Sequence, residues 1–222
     1  MSSVALQASS QTQSRRLAEG SEPLILSEIY SDDCNIAVWK RELSQEIKLG
    51  VKEFLQSNIG LQASMTLSPD NADAIVHKAL GGKDSTKALS ENIAELVDVF
   101  CCLFELERVA LRITALDKAM CPRFHVDHVP ARLVTTFQGA ATDWLPHDEI
   151  DRSKLGHGSQ GKPDEKSGLI RDLNSIKQLT CGDVALLKGE RWEGNEGGGL
   201  VHRSPAIETN NPRLLLTMDF SD

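Results

Sequence analysis

Positive charge is scarce in this chain: 24 Lys and Arg stand against 32 Asp and Glu, a net charge of −8 over 222 residues. That balance excludes the basic footprint of a nucleic-acid-binding surface and offers little to an anionic membrane. Long apolar runs are missing as well. The most apolar stretch, Val97 to Phe104, is interrupted by Asp98 and is too short to span a bilayer. Cysteine is sparse: Cys34, Cys101, Cys102, Cys121 and Cys181 are odd in number and form no CxxC pair. Free thiols in a reducing cytoplasm are therefore expected. There is no P-loop, no GxGxxG at a strand–helix junction and no internal repeat, which sets aside phosphate-cradling and solenoid readings.

Residues 1–20 are rich in Ser and Gln, carry Arg15-Arg16 near their end and have no continuous apolar core. That is not the pattern of a signal peptide. A disordered tail over 1–21 is expected, followed by one domain over 22–222. Within that domain, residues 22–107 read as a mainly helical layer. Leu43, Ile47, Val51 and Leu55 recur every four residues, the spacing of an amphipathic helix. Asp73 to Leu80 and Ser90 to Leu106 predict two more helices, the first stopped by Gly81-Gly82. Asn35 to Trp39 is a short apolar run, either a strand or a buried turn.

The pattern changes after Glu107. Strands are predicted at 108–114, 131–137, 183–187, 199–202 and 213–220. In the last, Leu214, Leu216, Met218 and Phe220 share one face, and Arg213, Leu215 and Thr217 share the other. Short strands between Gly, Pro and Asn turns are the signature of a jelly roll or barrel, so the fold class expected is α+β. A polar insertion, 146–180, interrupts the strands and reads as either a lid or a disordered loop.

The chemistry gathers at Cys121-Pro-Arg-Phe-His-Val-Asp-His-Val-Pro130 and at Leu200-Val-His-Arg-Ser-Pro205. On an extended chain His125 and Asp127 point the same way. With His202 from a second strand they make two imidazoles and one carboxylate, a set that leaves coordination positions open and suits non-haem Fe(II). Spacing alone is weak evidence. Six histidines among 32 acidic residues in 222 make about one His-x-acid pair by chance, and His147-Asp-Glu149 is a second one. Context carries more weight, since His125-x-Asp127 leads into a strong strand and His202 is followed eleven residues later by Arg213. A hairpin there lets a guanidinium face the same cavity and grip a carboxylate bidentately.

The order His125-x-Asp127, His202, Arg213 resembles that of the Fe(II)/2-oxoglutarate-dependent dioxygenases over roughly residues 108–220. Cys121 to Leu133 and Asp143-Trp-Leu-Pro146 further resemble an uncharacterised bacterial family, domain of unknown function 1826, over most of the chain beyond about residue 25. The dioxygenase likeness implies a double-stranded β-helix (jelly-roll or cupin-like) core over 108–222, with helices outside. It implies His125, Asp127 and His202 as iron ligands, Arg213 as the 2-oxoglutarate clamp and a small-molecule substrate oxidised with O2. Two positions depart from the pattern. Leu215 stands where many relatives carry Ser or Thr, and the only tyrosine, Tyr30, is remote from the motif. Thr135 and Thr217 are then the candidates to help hold 2-oxoglutarate.

Two other readings stay open. If Cys121 were a fourth ligand, the set would favour Zn2+ in a closed tetrahedron, and the protein would be a non-catalytic cupin-like metal handler. A barrel that binds a small molecule without turnover is the other. Arg123 and Arg132 flank the motif and either read an acidic substrate or line the surface.

Overall fold

The computed structural model describes residues 14–221. Ten strands, β1 (Arg16–Gly20), β2 (Cys34–Trp39), β3 (Gln62–Leu67), β4 (Val109–Leu116), β5 (Ala131–Gln138), β6 (Asp143–Leu145), β7 (Lys177–Gln178), β8 (Val184–Lys188), β9 (Val201–Arg203) and β10 (Arg213–Phe220), form two sheets. The larger has seven strands in the order β1-β2-β8-β5-β10-β4-β3 and the smaller three in the order β7-β6-β9. Every pairing is antiparallel except β1 with β2. From β4 onward the chain alternates between the sheets. β4, β5, β8 and β10 are neighbours in the large one, and the segment at His125 pairs with β9 through an isolated bridge at the free side of the small one.

Four helices complete the fold: α1 (Gln45–Ser57), α2 (Pro69–Ala79), α3 (Lys87–Phe104) and the short α4 (Asp164–Ser167). The Ser44 hydroxyl caps α1 by accepting from the Ile47 amide at 3.2 Å, satisfying one of the orphan donors of the first turn. Ile47, Val51 and Leu55 then face inward, as their spacing predicts. Proline opens α2 at its first position, where a missing N–H costs nothing, and Gly81 and Gly82 follow it in the left-handed region. Helices α1, α2 and α3 and one face of the large sheet share a single apolar core that includes Val51, Phe100, Ile113, Leu133, Leu186 and Leu216.

Residues 22–107 hold the long helices expected from periodicity, but they are not a separate helical layer. The same segment supplies β2 and β3, both of which join the large sheet. Ile36 and Val38 are buried on the side away from the helices, so their apolar run is a two-sided strand and not a turn. The expected tail also needs correction. Residues 1–13 lie outside the described residues, but Arg16–Gly20 is a strand, fixed by parallel pairing with β2 and by ion pairs of Arg16 with Glu28 (2.7 Å) and Asp33 (2.9 Å). Among the described residues, no helix is long and apolar enough to cross a membrane.

Candidate metal centre

Alternation on the central strands decides what faces the site. On β10, Leu214, Leu216 and Met218 enter the helix-side core, while Arg213, Leu215 and Thr217 line a narrow cavity of about 60 Å³ on the opposite side of the sheet. β8 places Leu187 on that cavity, and β5 places Val134 there. The mouth is formed by Met120, Cys121 and His125, and β9 contributes His202 with Arg203 and Ser204 beyond it.

His125 and His202 face each other across a single antiparallel bridge, each backbone N–H donating to the other's carbonyl at 3.0 Å. Their rings lie 4.6 Å apart. Each ring is oriented by its own backbone: His125 Nδ1 lies 2.9 Å from the Arg123 carbonyl and His202 Nδ1 lies 3.1 Å from the Leu200 carbonyl. A carbonyl only accepts, so each Nδ1 donates there, which turns each Nε2 toward the site. The Nε2 atoms meet Asp127, with His125 Nε2 3.9 Å from Oδ1 and His202 Nε2 3.3 Å from Oδ2. All three donor atoms lie within 4.8 Å of one another.

Burial alone pushes the Asp127 carboxyl up, yet His202, Arg132 and His125 outweigh it and hold the group at about 2, an anion at neutral pH. Burial, reinforced by His202, lowers His125 and favours its neutral form. Asp127 Oδ2 is buried and finds no hydrogen-bond donor. Two imidazole nitrogens converging on a carboxylate whose Oδ2 has no hydrogen-bond partner form an arrangement that a cation satisfies. Adjacent ligands on one divalent ion stand about 3 Å apart, close to the observed spacing. The residues fit a metal.

The segment before His125 is held from two sides. Asp164 of α4, only 4% exposed, accepts from Arg123 Nε at 2.9 Å and from the Phe124 amide at 2.8 Å. Arg203, beside His202, reaches Asp143 at 3.1 Å and Glu165 at 3.0 Å and lies over the Phe124 ring. The insertion 146–180 is thus a series of short turns tied to the site, and its Ile150 and Leu169 pack with Phe124, Leu145 and Val201. On the far side Gly189 lies against the bend after Asp127. A Cβ there would stand 2.0 Å from the Val129 carbonyl oxygen, and the Glu190 amide donates to the Asp127 carbonyl at 2.9 Å. Sequence reasoning missed Asp164 and Gly189, because neither has a local pattern that points to the site.

Arg213 is 1% exposed. Its Nη2 donates to Thr136 (3.1 Å) and Thr142 (2.9 Å), and Nη1 lies 3.4 Å from the Ser204 hydroxyl. Among the described residues no carboxylate forms an ion pair with it. Burial lowers its pKa to about 10, only partly countered by the distant charge of Asp143. Arg123, Arg132 and Arg203, in contrast, all have carboxylate partners, so neither Arg123 nor Arg132 is a free receptor for an acidic substrate.

Two expected site residues fall elsewhere. Thr135 is buried on the helix-side face of β5, opposite Leu216 and Val184. Its hydroxyl has no partner, whereas the hydroxyl of Thr136, on the cavity face, meets Arg213. The chain bends at 128–130, so the odd-numbered parity of His125 and Asp127 does not carry into β5. Cys121 lines the cavity mouth, but its thiol is outside the group whose donors lie within 4.8 Å. A closed tetrahedral site with Cys121 is not formed.

A metal-capable site of two histidines and one carboxylate, held between two antiparallel sheets, is the class that the structure defines. The chain belongs to the family of proteins of unknown function DUF1826, whose model matches residues 20–219. No curated protein matches its sequence. Similar solved structures include a rice dioxygenase for auxin oxidation, 12% identical over 93% of this chain and 82% of that one, with a TM-score of 0.48. A Pseudomonas putida prolyl-4-hydroxylase is 7% identical over 90% and 99%, also at 0.48. The non-heme alpha-ketoglutarate-dependent epimerase of nogalamycin biosynthesis is 15% identical over 87% and 80%, at 0.42.

Proposed function

We propose that the protein is a mononuclear non-haem Fe(II)/2-oxoglutarate-dependent oxygenase acting on a small-molecule substrate. We read its core as a double-stranded β-helix. The alternation β4, His125 segment, β5, β6-β7, β8, β9, β10 between two facing sheets is what such a roll requires. His125, Asp127 and His202 would hold the iron, leaving positions for a bidentate 2-oxo acid and for oxygen. Iron(II), when bound, supplies the electrons and open positions with which 2-oxoglutarate and O2 oxidise a C–H bond.

The observation that carries this reading is Arg213. A fully buried guanidinium bonded only to hydroxyls, lining the same cavity as both histidines, is a charge for which the described residues supply no paired counter-ion. A dicarboxylate reaching from the metal centre would provide it, gripped by the planar fork. Thr136, Thr142 and Ser204 would orient that fork, and Thr217 lines the cavity nearby. Leu215 is accommodated because the hydroxyls come from other strands. A zinc-handling cupin gains no support from Cys121 and gives Arg213 no role.

Anaerobic protein loaded with Fe(II) and 2-oxoglutarate is expected to show a metal-to-ligand charge-transfer band in the visible. His202→Ala and Arg213→Ala should each abolish it, the first by losing metal and the second by losing cosubstrate. Wild-type protein that retains iron but shows no band would overturn the oxygenase reading and leave metal handling in its place.

A further inference from the structure

Arg132 sits on β5 and Asp219 on β10, neighbours on the cavity side of the large sheet. The guanidinium meets the Asp219 carboxylate edge to edge, Nε to Oδ1 at 2.7 Å and Nη2 to Oδ2 at 2.8 Å. This bidentate contact fixes the plane of the fork. The remaining nitrogen, Nη1, is then aimed at Asp127 Oδ1, 2.9 Å away. Asp127 is left with one oxygen held and the other, Oδ2, buried without a donor and turned toward His202.

Resting on the metal-centre reading above, we infer that Arg132 and Asp219 are positioning residues that make Asp127 a ligand through one oxygen only. Asp219 has two effects. It sets the direction of Nη1, and it supplies the carboxylate that balances Arg132. With Asp219 in place the three groups sum to one negative charge, so the site still attracts a divalent cation. Without it Arg132 would cancel Asp127 and repel the metal. The two residues therefore act on affinity through charge and on coordination through direction. Partners of this kind, one shell behind a metal ligand, typically change affinity roughly 10- to 100-fold when removed.

The test is anaerobic titration with Co2+, read as dissociation constant and as the visible d–d spectrum, beside thermal unfolding of each metal-free variant. Arg132→Gln is expected to bind Co2+ more tightly, because the site gains a net negative charge, and to change the d–d band, as a second carboxylate oxygen becomes free to coordinate. Asp219→Asn should weaken binding roughly 10- to 100-fold, with the helix-side core untouched. Wild-type affinity and an unchanged spectrum in Arg132→Gln would overturn the inference while leaving the metal centre intact. If Arg132→Gln does not fold, Asp219→Asn decides in the same way. Wild-type protein that binds no Co2+ would overturn both the metal centre and its positioning pair.

Discussion

The two faces of β10 carry opposite kinds of residue in the same eight positions. Toward the helices stand Leu214, Leu216 and Met218, fully buried among aliphatic and aromatic side chains. Toward the cavity stand Arg213, Leu215, Thr217 and Asp219, where an equally buried guanidinium meets only hydroxyls and a carboxylate is spent on orienting Arg132. Both faces are dry. One side is complete within the chain, since every apolar surface finds a partner, whereas the other is left one anion and one cation short. A fold selected only for stability would not retain that second face. The contrast marks this strand as part of the candidate site without reference to any relative.

The comparison breaks most visibly if the helix face is emptied. Leu216→Ala removes a side chain with no solvent exposure and is expected to cost about 2–5 kcal/mol of stability. Denaturant unfolding measures that loss, and Co2+ affinity of the folded protein should stay at the wild-type value. A loss of metal affinity in step with stability would mean that the two faces are one cooperative unit. Arg213→Met probes the opposite side. Holding Arg213 at about 10 instead of 12.5 corresponds to roughly 3 kcal/mol of unfavourable burial, from which the three hydroxyl contacts recover part. The melting temperature of Arg213→Met is expected to be no lower than that of the wild type. With metal already bound, adding 2-oxoglutarate should raise the melting temperature of the wild type alone. A clear fall in the metal-free variant would make Arg213 a structural residue.

The apolar half of that contrast was legible in the sequence. Alternation along 213–220 assigns both faces of β10 correctly, and period-four spacing places the inward side of α1. The convergence of His125, Asp127 and His202 was legible too, because a His-x-Asp ahead of a strong strand and a His after glycines are local patterns. What could not be read depends on pairing between distant segments. Arg16–Gly20 looks like tail because its strand character comes from β2 and from Glu28 and Asp33. Ile36 to Trp39 and Gln62 to Leu67 are too short to announce membership of a sheet whose strands pair with them from Val184–Leu187 and Val109–Thr114, far along the chain. Thr142 sits in a loop next to β6, and nothing in its neighbourhood signals that Arg213 will arrive there.

Thr135 gives the finest probe of the division between the faces, with the smallest expected effect. It is one residue from Thr136, is equally buried, and differs only in which side of β5 it takes. Its hydroxyl faces the helix-side core, where Leu216 and Val184 flank it and no acceptor is within reach. An unsatisfied buried hydroxyl costs about 1 kcal/mol or more, and valine fills nearly the same volume without it. Thr135→Val is therefore expected to raise stability by about 1 kcal/mol and to leave the 2-oxoglutarate charge-transfer band unchanged. Thr136→Val, made beside it, removes an acceptor of Arg213 and should weaken that band. If the two substitutions exchanged effects, the face assignment of β5 would be reversed and the hydroxyl cradle of Arg213 with it.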